Sequence, residues 1–246
     1  MSKNDPFASV TPETRHSSVL EHLEALRNTL LKIVSVFALC SIPAWIFSDE
    51  ILNRLLAFAA PPEFKLHYFK LMEPFFVRLE LTMVTALAAS FPFMLYFIWQ
   101  FILPALREHE RKALGTILFF PIILGLAGAA VALFFMVPAV VKFSLSFAET
   151  TISPVIGIGN FVSLVLGMLL AGMVMFQFPI IIYGLLASGV VTLQTMQSKR
   201  PVFIVIILLI AALLTPPDVA SQLLLAIPAW LLFELSLVIF ALKKNT

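Results

Sequence analysis

Charge is what this chain has least of. Only 12% of its 246 residues are Asp, Glu, Lys or Arg, 61% are hydrophobic, and the mean hydropathy is +1.02. Soluble domains carry about 25% charged residues, so an ordinary soluble domain is excluded. Cysteine is nearly absent. The lone Cys40 rules out an intrachain disulfide and lies in an apolar run, as a packed core thiol would. Histidine is scarce too, and only His22 and His109 fall on stretches of interest. Neither belongs to a metal-ligand pattern or a nucleophilic triad. The chain holds no P-loop, no His-Glu-x-x-His and no Gly-x-Ser-x-Gly. The expectation is a protein without enzymatic activity, resident metal or cofactor, and with nothing to suggest nucleic acid as a partner.

What is present is length without charge. Residues 81–106 and 113–141 carry no charged residue, and neither do residues 150–198. Crossing a hydrocarbon core takes about 20 apolar residues, so these runs span a bilayer. Only helices or a closed barrel can do so, and unbroken Leu/Ile/Val/Phe/Ala runs read as helices rather than alternating strands. The expected class is all-α: a polytopic membrane protein with six transmembrane helices in a bent, concave bundle, forming one integral membrane domain over 1–246.

In chain order, residues 1–18 are polar, and no small-residue cleavage site follows the first apolar run, so no cleaved signal peptide is read. Residues 19–31 place Leu20, Leu23, Leu26 and Leu30 at helical spacing, with Glu21, Glu24 and Arg27 on other faces. This is an amphipathic lead into span one, about 30–47. Pro43 should kink that span. Residues 48–72 form a connection too long for an ordinary loop and are expected to be structured. The remaining spans fall at about 75–103, 113–141, 161–186, 201–214 and 219–242. The last two read as short, since Glu234 interrupts the sixth and the fifth has 14 residues unless it extends into the Lys199–Arg200 turn. Such a pair implies local membrane thinning or a partner that hides the mismatch. Every span but the fifth, which only begins at Pro201, holds a proline in its interior, which favours bent helices and a curved wall.

Lys and Arg sort by side. With six spans the termini share one side, which holds 11 of the 16, against 5 on the other. The positive-inside rule then puts both termini in the cytoplasm. The dense loop Arg107-Glu-His-Glu-Arg-Lys112 lies on that same side, with Glu108 and Glu110 near Glu21 and Glu24 of the first helix. Carboxylates so placed can receive guanidinium groups in bidentate fashion. The same charges also suit a solvated loop that simply balances itself.

Several strings in this order resemble the TatC family, the multispanning subunit of the twin-arginine protein translocase. They are His22-Leu-Glu-Ala-Leu-Arg27, Glu73-Pro-Phe-Phe76, Trp99-x-Phe-Ile-x-Pro-Ala-Leu106 with His109-Glu-Arg111, Lys199-Arg-Pro201, and Leu213-Leu-Thr-Pro-Pro-Asp218 with Ser221-Gln222. The resemblance covers nearly the whole chain. It implies six spans with both termini cytoplasmic, in a bacterial cytoplasmic (inner) or thylakoid-type membrane. It implies a receptor for twin-arginine signal peptides of folded cargo that works with small TatA- and TatB-type single-span subunits, in a receptor complex that holds further copies of the chain. Transport would be driven by the proton-motive force. Glu110 and Phe101 match the family's arginine-contacting glutamate and its neighbouring aromatic, and Arg27 closes the first-helix signature. Asp218 and Gln222 match positions where partner helices dock.

Two positions depart from the pattern. The family's first-helix glutamate falls at Ala25, so its carboxylate would come from Glu21, one turn earlier, or from adjacent Glu24. The glutamate often found in span four is Gln177, which is cheaper to bury and can still bond across helices. Glu234 lies about 13 Å into the membrane from Lys243, counted at 1.5 Å per residue. An intramembrane acid invites a functional reading. With no basic residue visible at matching depth, the expectation is a structural acid, protonated or hydrogen-bonded to a neighbouring helix. Gln177 and Glu234 are also the two residues that would speak for a proton-coupled small-solute transporter, for which no internal repeat is found.

Overall fold

The computed structural model describes residues 12–60, 66–102, 119–146, 155–187, 189–215 and 218–244. Helix α1 (Pro12–Ile46) leads into α2 (Ser48–Ala59), a two-residue strand β1 (Leu66–His67) and α3 (Glu73–Ile102). Then come α4 (Phe119–Val131), a π-helical turn (Ala132–Met136), α5 (Val137–Ser146), β2 (Ile156–Gly157) and α6 (Ile158–Met175). The chain closes with α7 (Phe178–Ala187), α8 (Leu193–Ser198), α9 (Arg200–Leu214) and α10 (Val219–Lys244). Among the described residues, five stretches are long and apolar enough to cross a membrane: Glu21–Ile46, Glu73–Phe101, Phe119–Ser146, Ile158–Ala187 and Val219–Leu242. The shorter α9 makes the sixth, so the fold is the expected all-helical, six-span membrane protein.

Helix α1 packs along α3 and touches α2 at its end, and among the described residues no other helix packs against it to a comparable extent. Its apolar side chains, Val34, Leu39 and Ile46 among them, are exposed, as lipid-facing residues are. Its hydroxyls bond back to its own carbonyls, Thr29 to Ala25 at 2.8 Å, Ser35 to Leu31 at 2.7 Å and Ser41 to Phe37 at 2.8 Å. That satisfies them without water. The long connection is indeed structured, and α2 occupies its first half. Arg78 of α3 pins that corner. Its Nε donates to Ser48 Oγ at 2.6 Å, its Nη2 to Asp49 Oδ2 at 2.8 Å, and its guanidinium lies 5.1 Å from the Trp45 ring centroid.

One feature adds to the all-helical expectation. Strands β1 and β2 pair in parallel, Leu66 with Ile156 and His67 with Gly157. A two-residue pairing has no periodicity to read in a sequence. It is held by Glu73, whose Oε2 accepts from the backbone N–H of Phe69 (2.6 Å) and Lys70 (3.0 Å) and whose Oε1 accepts from Gly159 N–H (2.9 Å). The carboxylate thus ties the start of α3 to the start of α6.

Two spans are interrupted. In the third, Val137 N–H donates to Ala132 O five residues back, and Pro138 follows with no N–H of its own. The fourth breaks between α6 and α7 at Phe176–Gln177, just before Pro179. There Gln177 Nε2 donates to Pro121 O of α4 at 2.9 Å. Helices α4 and α6 approach closely through glycine, since a Cβ on Gly128 would lie 2.3 Å from Gly172 O.

The reading of two short final spans needs correction. Helix α9 begins at Arg200, with Lys199 as its N-cap, and has 15 residues, so it does not extend back through the turn. Helix α10 has 26 residues and runs straight through Glu234. Only α9 is short, and the acid does not end its neighbour. The main core joins α4–α10 through buried residues such as Met168, Met175, Ile207, Phe233 and Leu237. A second cluster seats α3 on α6 through Val77, Leu81 and Val84 against Ile158, Val162 and Leu166.

Candidate functional site

The start of α1 and the end of α3 meet on one face of the bundle, the face from which α1 sets out. The His22 ring stacks on Phe101, centroids 4.7 Å apart and planes at 29°. One step deeper, Lys32 Nζ lies 5.8 Å from the Phe97 centroid. The two helices are therefore held together where the amphipathic lead reaches the membrane. Glu21, Glu24 and Arg27 are exposed there, and among the described residues none of them is in an ion pair. With His22 turned to α3, a turn of about 100° per residue places Glu21, Ala25 and Glu24 together on one flank. On that flank Glu21 lies about 40° from Ala25 and Glu24 about 100°. Glu108 and Glu110 lie outside the described residues, which resume at Phe119 after Ile102.

The opposite end of the α9–α10 hairpin holds the two candidate docking residues. Asp218 is exposed, and its Oδ1 accepts from Ser221 N–H at 2.7 Å, which caps α10. Gln222 Nε2 donates to Leu208 O at 3.1 Å and so links the two helices. The Ser221 hydroxyl beside them is fully buried and has no hydrogen-bond partner among the described residues.

The intramembrane polar residues are placed as follows. Gln177 is half-buried at the α6–α7 break, bonded to α4 as described above. Glu234 overturns the expectation that no cation shares its depth. Arg200 Nε lies 2.8 Å from Oε1, and Arg200 Nη2 donates to Oε2 at 2.8 Å. The sequence reading missed Arg200 because it placed that residue in a turn at the membrane surface and measured Glu234 only from Lys243. Helix α9 starts deeper than α10 ends, and the two side chains meet. Both polar residues that favoured a small-solute transporter are thus spent on contacts within the bundle.

Sequence reasoning also passed over two side-chain contacts at the far end of α3. Glu73 ties the strand pair, and Glu80 Oε2 accepts from Ser163 Oγ of α6 at 2.6 Å. The bonds to α6 have no local sequence signal, since Gly159 and Ser163 lie more than 80 residues away from Glu73 and Glu80 in the chain.

Comparison with known proteins agrees with this geometry. Residues 21–228 match the family model "Sec-independent protein translocase protein (TatC)". The chain is 37% identical over 224 residues to the TatC protein of Haemophilus influenzae, covering 90% of this chain and 88% of that one. It is 34% identical over 222 residues to that of Aquifex aeolicus, covering 88% and 92%. Among solved structures, a crystal structure of the twin-arginine translocase receptor TatC superposes with a TM-score of 0.82 at 33% identity, covering 91% of this chain and 99% of that one. The same receptor in the detergent DDM gives 0.78, covering 89% and 98%. These are names of a translocase component and not of a catalyst. With its six-span helical fold and the joined α1–α3 face, the chain belongs to the TatC family of Sec-independent protein translocase proteins.

Proposed function

We propose that this chain is the receptor subunit of twin-arginine protein translocation, with its α1-start face in the cytoplasm of a bacterial cell and both termini there. The observation that carries the reading is the His22–Phe101 stack. It fixes which way α1 faces, with Glu21 on the adjoining flank and Glu24 beyond it, and among the described residues neither carboxylate is in an ion pair. A pair of guanidinium groups needs carboxylates for bidentate hydrogen bonds and a flat ring to stack on. Glu110, eight residues beyond the end of α3 in the sequence, completes that acid set. The apolar part of the signal peptide then lies along α1 and α3.

TatA- and TatB-type single-span subunits dock at the α9–α10 hairpin near Asp218 and Gln222, and a receptor complex brings several copies of the chain together. The short α9 supports this. At 15 residues it is about 22 Å long, against a hydrocarbon core of about 30 Å, and a partner helix covers the mismatch. The proton-motive force supplies the energy, with no proton-carrying acid assigned to this chain. The test is export of a folded cargo carrying a twin-arginine signal. Glu110→Lys abolishes export while the protein still inserts and accumulates. Normal export by that variant removes the assigned role.

A further inference from the structure

The Arg200–Glu234 contact is a two-pronged fork, Nε to Oε1 and Nη2 to Oε2, both at 2.8 Å. Arg200 is the first residue of α9, whereas Glu234 has ten residues of α10 still to come. The segment 235–242 beyond it is charge-free. It is flanked by α7, with the Tyr183 and Phe240 rings 5.8 Å apart, so it belongs to the bundle. The fork therefore holds a guanidinium about 15 Å below the end of α10, counted at 1.5 Å per residue.

That depth is not where α9 would rest alone. A 15-residue helix is shorter than the hydrocarbon core, and it opens with two cations, Lys199 and Arg200. Unrestrained, such a helix moves along its axis until its cations reach the headgroups. The acid opposes that movement. It is the more buried partner, with its side chain 24% exposed against 47% for Arg200. A half-buried carboxylate left without its cation inside the bundle is costly, so the pair resists separation. Below the fork, Phe203 stacks on Phe233 at 5.0 Å, and Gln222 reaches the Leu208 carbonyl at 3.1 Å. These contacts exist only in one sliding register of α9 against α10.

We propose that the Arg200–Glu234 fork is a depth stop, a positioning pair that holds α9 in the register at which Gln222 and the far end of the hairpin are presented. The proposal deepens the reading that a partner helix docks at this hairpin and rests on it for its purpose, though not for its geometry.

The test uses the full chain in lipid vesicles with Cys40→Ala, so that introduced cysteines are the only ones. Leu213→Cys reports depth, since Leu213 is 85% exposed near the far end of α9. A membrane-impermeant maleimide added on that side labels it in the parent. In Glu234→Gln, Glu234→Ala and Arg200→Ala, α9 shifts toward the α1-start face by about one turn, ~5 Å, and the labelling is lost. The double exchange Arg200→Glu with Glu234→Arg restores it. Register is read separately by cross-linking Phe203→Cys to Phe233→Cys, which is lost in the single variants and kept in the exchange.

Unchanged labelling and cross-linking in the single variants overturns the proposal. So does an exchange variant that accumulates yet labels as poorly as Glu234→Ala, which also decides the matter if a single variant fails to accumulate. Cross-linking of Gln222→Cys to a single-span partner is measured in parallel. A shifted labelling pattern with undiminished partner cross-linking leaves the depth stop standing and contradicts the docking reading.

Discussion

His22 and Phe101 stack face to face, 4.7 Å between centroids, and thereby join the first turns of α1 to the last turn of α3. A histidine on an exposed helix end needs no such partner. The stack gives α1 a fixed azimuth, and that azimuth decides which acids of α1 share a flank. Removing either ring by His22→Ala or Phe101→Ala should weaken binding of a twin-arginine peptide by roughly two- to tenfold, the value of one aromatic pair of about 0.5–1.5 kcal/mol. Membrane insertion should not change. Titration of a fluorescent peptide onto the purified protein measures both variants.

The same azimuth ranks the two acids. Glu21 lies closer than Glu24 to the direction of Ala25, where the family glutamate would stand. Glu21→Ala should therefore cost more affinity than Glu24→Ala, roughly tenfold or more for a lost charge-assisted bond. Ala25→Glu should raise affinity and make Glu21→Ala nearly silent. Equal losses for the two alanine variants would mean that the flank is not what the peptide reads.

Gln177 offers a test of packing. Its amide bridges the α6–α7 break to Pro121 O at 2.9 Å. Gln177→Leu should destabilise the bundle by about 1 kcal/mol, in keeping with interhelical bonds in membranes. Gln177→Glu can donate to that carbonyl only as the neutral acid. Its stability should rise as pH falls, whereas the parent's response at this site should be flat. Thermal unfolding in detergent at several pH values reads both.

The glycine contact between α4 and α6 is less forgiving. Any side chain at Gly128 meets the backbone carbonyl of Gly172, which cannot rotate away. Gly128→Ala should force the helices apart at a cost of about 1–3 kcal/mol. Gly184, with nothing near its Cβ position, is the control and should tolerate alanine. Loss of detergent-extracted monodisperse protein in the first variant only would bear this out.

How much of this lay open in the sequence depends on the range of the interaction. Charge-free runs mark spans because lipid excludes unpaired charge along the whole run, so the helices could be found one at a time. The length of α9 was also legible, since its two cations sit at its start. The Arg200–Glu234 fork was not, because relative depth belongs to two helices at once and neither end of the hairpin states it. The strand pair and the Glu73 bond to Gly159 were hidden for the same reason, being set by backbone groups brought together from far apart. At the face of α1, helical spacing located Glu21 and Glu24 and the resemblance supplied Phe101, but only the fold shows that His22 stacks on Phe101. Glu110 lies beyond the described end of α3, and its part rests on the resemblance alone.

The central claim is that this face recognises an arginine pair. The most direct measurement is photo-cross-linking from probes at Phe101 and at residues flanking Glu110 to a twin-arginine signal peptide, beside the same peptide with a lysine pair. The account predicts strong cross-links with the arginine peptide, weak ones with the lysine peptide, and loss of the difference in Glu110→Ala with Glu21→Ala. Cross-links of equal strength to both peptides, unaffected by those substitutions, would contradict it.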